Sequence, residues 1–340
     1  MSSLVDANEG RARVLGSTLL IVERLSVEIP AARSVAKVVD DVSFEIGAGE
    51  AVALVGESGS GKTMTALAIM GLLPAGSKIA GSIRLRDQEL VGLALPRLNK
   101  LRGRNVAIVF QEPMSSFNPA FTVGEQIAET LRQHLGASRV AARNRTVDLL
   151  PMVGIPEPAR RSRDYPHMFS GGMLQRVGIA MALACEPDLL IADEPTSGLD
   201  ATIQASVIEL LASLRDSFKT SLLFLTHDFG AVASLCDRVL VMYCGQVVEA
   251  AGTEALFTHP RHPYTEGLLG AIANLDGTSQ PTAIKGSVPS LRDLPQGCRF
   301  HPRCSYAVSA CTVGQIEEIR FASQRVRCAR TGELNLRGLA

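Results

Sequence analysis

Residues 56–63 read GESGSGKT and fit the loop pattern G-x-x-x-x-G-K-[ST]. The loop follows an apolar run, 51–55, and precedes a helix-like stretch, 64–72. Its glycines allow backbone conformations that a Cβ forbids, so successive N–H groups can face phosphate oxygens. Lys62 supplies a positive charge for the β and γ phosphates, and Thr63 offers a hydroxyl to Mg²⁺ where a helix begins. The pattern predicts a nucleotide-binding loop made of Gly56, Glu57, Ser58, Gly59, Ser60, Gly61, Lys62 and Thr63; the alternative is a glycine-rich turn without a ligand.

The composition restricts the class of protein. Lys plus Arg and Asp plus Glu number 34 each, so the formal net charge is zero and no nucleic-acid partner is expected. The chain is 46% hydrophobic with only 4% aromatic residues, which favours an aliphatic α/β core. It contains no apolar run of about 20 residues, and its first 13 residues do not resemble a signal peptide. These features predict a cytoplasmic protein.

The chain divides into a main domain and an appendage. We expect a flexible tail over 1–16, a main α/β domain over 17–252 with a helical subdomain at about 120–186, and a Pro-, Arg- and Cys-rich C-terminal domain over 253–340. Strands in 18–46, broken near Pro30, are expected to form a small antiparallel layer. Short apolar runs predict a mostly parallel core sheet, and amphipathic runs predict helices, the second of which Pro151 should end or kink. The predicted core strands are 51–55, 106–110, 189–192, 222–225 and 239–242, and the predicted helices are 124–135, 140–153 and 172–185.

Two further motifs suit a nucleotide site. The strand LLIADE ends in Asp193, which is suited to the Mg²⁺ shell, and in Glu194, which can polarise an attacking water. In FSGGMLQR (169–176), Ser170 is a natural N-cap, and the glycines after it expose N–H groups at the start of a long helix. The chain therefore has two phosphate-directed helix ends but one P-loop.

This combination resembles the ABC-type ATPases, whose signature motif completes the nucleotide site of the partner subunit. The resemblance assigns Ser170, Gly171, Gly172 and Gln175 to that motif, Gln111 to the glutamine loop that touches Mg²⁺ and water, Asp200 to the D-loop at the subunit boundary, and His227 to the switch histidine. It implies that Thr63, Gln111 and Asp193 hold Mg²⁺ and that Glu194, His227 and Gln111 serve hydrolysis. Two positions depart from the family pattern: Ile29 stands where adenine usually stacks on an aromatic ring, and Leu174 where a basic residue is usual.

The segment QEPMSSFNPAFTVGEQI (111–127) and the tail HPRHPYTEGLLGAI (259–272) with PQGCRFHPRC (295–304) are similar to the dipeptide and oligopeptide importer ATPases, with nickel importers as close relatives. The resemblance implies a second ATPase subunit, identical or not, two membrane permeases and an extracytoplasmic binding protein, at the cytoplasmic face of the inner membrane. Met114, Phe117 and Phe121 look exposed and are expected to help form a groove for a permease helix. A soluble ABC-type mechanoenzyme acting on nucleic acid or ribosomes, and a metal-sensing module with a vestigial ATPase, are the remaining alternatives.

Seven cysteines fall into two groups. Cys185, Cys236 and Cys244 stand singly among apolar residues and are expected to be buried. The others form C-x5-C-x6-C-x16-C and predict a thiolate site rather than disulfides; they are Cys298, Cys304, Cys311 and Cys328. Their spacing does not choose the metal, and free cysteines are the alternative. The resemblance favours a [4Fe-4S] cluster.

Overall fold

The computed structural model describes residues 17–31, 34–271 and 283–339, so the predicted tail over 1–16 lies outside the described residues. By its internal contacts the chain forms two compact units. Of the described residues, the first unit contains 17–20, Ile46–Glu50 and Gly92–Phe224, and the second contains those between Ile21 and Glu45, Ala51–Val91 and those from Leu225 onward.

The strands, in chain order, are β1 (Thr18–Ala31), β2 (Ser34–Gly47), β3 (Ala51–Val55), β4 (Lys78–Leu85), β5 (Gln88–Glu89), β6 (Val106–Val109), β7 (Leu189–Asp193), β8 (Ser221–Thr226), β9 (Arg238–Tyr243), β10 (Gln246–Gly252), β11 (Ile319–Phe321) and β12 (Gln324–Val326). The helices are α1 (Lys62–Met70), α2 (Leu95–Leu101), α3 (Val123–Leu135), α4 (Arg139–Met152), α5 (Pro158–Arg161), α6 (Gly171–Leu183), α7 (Ala201–Phe218), α8 (Phe229–Leu235), α9 (Thr253–Thr258) and α10 (Pro263–Gly270).

The first unit carries parallel strands and most of the long helices. β6 and β7 pair in parallel, with Val106 opposite Leu189, and β8 lies next to β7. β7 and β8 are buried along their whole length, as expected of strands covered on both faces. α3, α4 and α6 contact one another, and α3 begins with a capping box in which Thr122 and Glu125 satisfy each other's backbone N–H groups.

The second unit contains a small sheet in the order β2-β1-β4-β5 and a run of strands in the order β11-β12-β10-β9-β3. In that run β3 pairs with β9 in parallel, whereas the β9–β10, β10–β12 and β11–β12 pairs are antiparallel. The C-terminal region, which the composition marks off at about 253, therefore extends the sheet of the main domain through β12. Its domain boundary stays a prediction.

Most predicted elements are present with shifts of one or two residues at their ends. α4 contains Pro151 in its last turn and ends at Met152, as predicted from the effect of proline on a helix. The predicted break near Pro30 is confirmed, because β1 ends at Ala31 and β2 begins at Ser34. Cys185, Cys236 and Cys244 are buried as predicted. Among the described helices, none is long and apolar enough to cross a membrane.

Candidate functional site

The predicted nucleotide-binding loop lies in the second unit, between β3 and α1, and its shape requires two of its glycines. Gly61 has φ +110°, and a Cβ built there would lie 2.6 Å from the carbonyl oxygen of Val38. At Gly56, φ is +156° and a Cβ would lie 2.2 Å from the carbonyl oxygen of Met242. No other residue fits either position without moving backbone, because real Cβ atoms do not approach so closely and L-residues rarely adopt such φ values.

The polar side chains of the loop lie at different depths. The Lys62 ammonium is buried and donates hydrogen bonds to the carbonyl oxygens of Gly56, at 2.7 Å, and Glu57, at 3.2 Å. Ser60 is also buried, and within the described part of the chain its hydroxyl has no hydrogen-bond partner. Ser58 and Thr63 are exposed. An amine turned into the loop, an unsatisfied hydroxyl and an accessible threonine fit a loop that receives an anionic, metal-bound ligand.

His227, also in the second unit, is exposed directly after β8. The next residue, Asp228, is the N-cap of α8 and accepts hydrogen bonds from the N–H groups of Gly230, at 2.8 Å, and Ala231, at 3.3 Å. Asp228 is therefore used to hold the helix that fixes the position of His227.

The first unit holds the paired carboxylates and the predicted glutamine. Asp193 is buried at the end of β7, and Glu194, half-buried, has a left-handed φ of +46°. A non-glycine residue in this region is strained by about 1–2 kcal/mol, and such strain is concentrated at functional sites. Gln111 is exposed and its amide donates a hydrogen bond of 3.1 Å to the hydroxyl of Ser197. The structure thus connects the predicted glutamine loop to the turn that follows Glu194.

The signature motif begins α6 as predicted. Ser170 is its N-cap and accepts from the N–H of Met173 at 3.4 Å. Gly171 is exposed with open space around its Cα, whereas a Cβ at Gly172 would lie 2.6 Å from the Ile203 side chain, so Gly172 lets α6 approach α7 closely. The Gln175 side chain is buried, at 1% exposure, and therefore does not form part of the exposed surface at Ser170 and Gly171.

The structure also places three other residues that the sequence singled out, Leu174, Asp200 and Ile29. Leu174 is buried at 1% exposure, which accounts for an apolar residue where the family pattern has a basic one. Asp200 is the N-cap of α7 and accepts from the N–H groups of Thr202, at 3.1 Å, and Ile203, at 3.0 Å. In the second unit, Ile29 is half-buried on β1.

The apolar segment after Gln111 is only partly exposed. Met114 and Phe121 are exposed by 53% and 52%, as predicted. The prediction for Phe117 was wrong, because its ring is 5% exposed and packs near Gly178 of α6. A small residue at Gly178 leaves room for this ring, and that pairing across 61 positions is not visible in the local pattern.

The four C-terminal cysteines line one cavity of the second unit, together with His262 and Phe300. Burial raises the pKa of Cys298 and Cys304, and raises that of Cys328 to about 11; neighbouring thiols add to each shift. Among the described residues, however, no group of three or more His, Cys, Asp or Glu side chains is placed to hold a metal ion. The structure therefore brings the predicted thiols to one place but does not support the iron-sulfur prediction.

Sequence reasoning missed the polar contacts between the C-terminal region and the P-loop. Arg303 forms an ion pair with Glu57, and the N–H of Glu57 donates a hydrogen bond to the Tyr264 hydroxyl. It also missed Glu249, which is fully buried and accepts hydrogen bonds from the N–H groups of Arg261 and His262. Burial raises the pKa of Glu249 to about 7. The sequence signal for Glu249 was a charged residue that interrupts an otherwise apolar strand.

A lysine-bearing glycine loop between strand and helix, with paired carboxylates closing an apolar strand, defines an α/β P-loop ATPase. The family described as "ABC transporter" matches residues 39–197, and "Oligopeptide/dipeptide transporter, C-terminal region" matches residues 248–311. The oligopeptide transport ATP-binding protein AppD of Bacillus subtilis is 51% identical over 92% of this chain and 96% of that protein. The dipeptide transport ATP-binding protein DppD of Haemophilus influenzae is 44% identical over 91% of this chain and 94% of that protein.

One similar solved structure is a dimeric ATP-binding cassette in a post-hydrolysis state, bound to ADP and Pi. It superposes on this chain with a TM-score of 0.63 at 25% sequence identity. The superposition covers 69% of this chain and 99% of that chain. The fold class predicted from the sequence is thereby confirmed. The chain belongs to the ABC transporter family, in the branch of the oligopeptide and dipeptide transport ATP-binding proteins.

Proposed function

We propose that this chain is the ATP-hydrolysing subunit of a membrane importer for dipeptides or oligopeptides, bound to the cytoplasmic face of its membrane. The observation that carries the proposal is similarity along almost the whole chain, including the C-terminal region at 248–311, to subunits named for peptide transport. The C-terminal match argues against the soluble mechanoenzyme, because the matching family is described as a transporter region.

The nucleotide's phosphates bind at the P-loop, where the N–H groups of the loop and the Lys62 ammonium neutralise their charge. For this, Lys62 exchanges its present carbonyl acceptors, Gly56 and Glu57, for phosphate oxygens. Thr63, Gln111 and Asp193 would hold Mg²⁺, which when bound would neutralise charge on the phosphates. The exposure of Thr63 and Gln111 supports this role.

Glu194 accepts a proton from the attacking water, and His227 orients that carboxylate and contacts the γ phosphate. The strained backbone of Glu194 and the exposed position of His227 support these roles. Ser170 and Gly171 act on the nucleotide of the facing ATPase subunit, and Asp200 lies at the boundary between the two. ATP then binds the closed pair more tightly than the open one, as a ligand must if it is to shift a conformational equilibrium. Gly172 and Gln175 support this loop from within α6 and its contact with α7.

The permeases and the extracytoplasmic binding protein complete the system. Met114 and Phe121 present two large apolar side chains to a permease helix, while the buried Phe117 holds their segment against α6. The transported solute is a peptide, with nickel or another small solute as the second candidate because nickel importers share these motifs.

We also propose that the cavity lined by Cys298, Cys304, Cys311 and Cys328 takes a metal ion or a [4Fe-4S] cluster. Four thiols line one cavity and are donors of the right type, although no three of them are placed as ligands in the described structure, so binding would require these side chains to turn. A bound cation would favour the thiolates that burial now disfavours. Anaerobically purified protein should contain iron or zinc, and Cys298→Ser should lose it along with protease resistance of the C-terminal region. Equal metal content in both proteins would remove this proposal.

The function is tested with the purified complex in proteoliposomes that enclose ATP and Mg²⁺. Binding protein loaded with peptide should stimulate hydrolysis and uptake, Lys62→Ala should abolish nucleotide binding, and Glu194→Gln should bind ATP but lose hydrolysis by orders of magnitude. Stimulation by nickel-loaded binding protein alone would select the second candidate. Unchanged ATP affinity in Lys62→Ala would contradict the proposal altogether.

A further inference from the structure

The P-loop is held by the C-terminal region through the side chain of Glu57. Both terminal nitrogens of Arg303 donate to its carboxylate, Nη1 to Oε2 at 2.6 Å and Nη2 to Oε1 at 3.0 Å. The Arg303 side chain is 4% exposed and that of Glu57 is 30% exposed. A bidentate pair of this kind, with a buried guanidinium, fixes geometry as well as charge.

The backbone of Glu57 is held as well. Its N–H donates a hydrogen bond of 2.9 Å to the hydroxyl oxygen of Tyr264, a fully buried residue of α10. Glu57 is thus attached at its side chain and at its backbone, and both partners come from residues more than 200 positions later in the chain.

The two partners share a rigid support. Phe300, which is 3% exposed, packs against the rings of Tyr264 and Tyr243, each at a centroid distance of 5.2 Å. The Arg303 guanidinium lies over the rings of Tyr243, at 5.8 Å, and Phe300, at 5.9 Å. Such an aromatic cluster leaves Arg303 little rotamer freedom, so its position is set before any ligand binds.

The same C-terminal turn reaches the P-loop by a second, indirect route. Arg299 donates to the carbonyl oxygen of Cys244 and pairs with Asp40. The next residue along the chain, Gly245, donates from its N–H to the carbonyl oxygen of Ser60 at 2.7 Å. The short segment from Cys298 to Cys304 therefore contacts the loop directly at Glu57 and supports the turn that holds Ser60.

We propose that Arg303 and Tyr264 are positioning residues of the ATP site, which hold Glu57 and thereby fix the P-loop in its phosphate-binding shape. This inference rests on the proposed function. A glycine-rich loop loses conformational freedom when it closes on a ligand, and a loop that is already ordered loses less. The C-terminal region is in this account part of the nucleotide site, and it acts mainly on ATP affinity because the contacts described above reach the P-loop at Glu57 and the turn that holds Ser60.

The test compares ATP affinity in the full chain with a fluorescent ATP analogue and Mg²⁺. Tyr264→Phe keeps the ring packing and loses one neutral hydrogen bond, so the Kd should rise about 2- to 10-fold. Arg303→Met should raise the Kd about tenfold or more, because the substitution removes both guanidinium nitrogens that donate to the Glu57 carboxylate. In the assembled importer the KM for ATP should rise by similar factors while kcat changes by less than about twofold.

A double-mutant cycle shows whether Arg303 acts through Glu57. The combination Glu57→Gln with Arg303→Met should weaken ATP binding clearly less than the product of the two single effects. Arg325→Met is the matched control, because it breaks another ion pair of the C-terminal region, the one between Arg325 and Glu318. The described contacts of Arg325 do not include the P-loop. The substitution should leave ATP affinity unchanged.

Unchanged ATP affinity in both Tyr264→Phe and Arg303→Met, with a lower melting temperature alone, would overturn the proposal, as would single effects that multiply in the double variant. Lys62→Ala, measured in parallel, keeps the two accounts apart. If the unmodified chain binds ATP, Lys62→Ala does not, and the two positioning variants match the unmodified chain, then only the positioning role fails. If Lys62→Ala binds as well as the unmodified chain, the proposed nucleotide site itself fails.

Discussion

Replacing Gly61 by alanine should damage the P-loop far more than the same replacement at Gly59. At Gly61 the new Cβ would lie 2.6 Å from the Val38 carbonyl oxygen and 2.7 Å from the terminal methyl of Met242, at a φ of +110°. At Gly59, where φ is +79°, nothing lies within 4 Å. The two substitutions add the same methyl group to the same loop, so a difference between them comes from the surroundings and from the less favourable φ at Gly61.

The magnitude follows from these distances. Positive φ alone costs an alanine about 1–2 kcal/mol, and this is the whole cost expected at Gly59. Gly61→Ala adds overlap with a backbone carbonyl that cannot rotate away, at about 1–3 kcal/mol for overpacking, so its total is about 2–5 kcal/mol. Because Lys62 follows directly, the shifted backbone should also carry the ammonium out of place and lower ATP affinity at least about tenfold.

Urea denaturation gives the stabilities, and titration with a fluorescent ATP analogue gives the affinities. Gly59→Ala serves as the control for stability, since it carries the strain of positive φ without the overlap. Equal free energies of unfolding for the two variants, or normal ATP affinity in Gly61→Ala, would refute the conclusion that the loop is shaped by close contact with Val38 and Met242.

Three further predictions follow from the burial or exposure of particular side chains. Glu249, at 0% exposure, has its pKa raised from 4.5 to about 7, so its contribution to stability, about 3 kcal/mol, is complete below pH 4.5 and is lost as the pH rises through 7. Glu249→Gln should therefore flatten the profile of unfolding free energy between about pH 5 and 8. Parallel profiles for the two proteins would assign the slope to other groups. Phe117→Ala should lower the unfolding free energy by about 3–5 kcal/mol, and Phe121→Ala by less than about 0.5 kcal/mol, in the same urea titration; similar losses would contradict the burial assigned to Phe117. Met114→Ser combined with Phe121→Ser should preserve the ATP affinity of the isolated chain but uncouple hydrolysis from the loaded binding protein in proteoliposomes, and full stimulation would remove these side chains from the permease contact.

The elements that the sequence predicted well are those whose signals are local. The P-loop, the capped start of α6, and the apolar strands β3, β7 and β8 each depend on neighbouring residues, so short-range patterns suffice to place them. The end of α4 beside Pro151 is another local effect.

The features that escaped prediction depend on contacts between distant residues. Phe117 is buried because Gly178, 61 positions away, leaves space for its ring. Arg303 is an ordinary basic residue in its own segment, and only the folded chain brings it to Glu57. Likewise β11 and β12 are three residues long, too short for a periodic signal, and they are recognised as strands through their pairing with each other and with β10.

The central claim is that each nucleotide is shared between two ATPase subunits, and a high-resolution structure of the ATP-trapped Glu194→Gln importer tests it most directly. The account predicts that the Ser170 hydroxyl lies about 3 Å from the γ phosphate held by the facing subunit's P-loop, while Lys62 holds the other nucleotide. A closed, ATP-filled assembly in which Ser170 and Gly171 lie far from both triphosphates would contradict it.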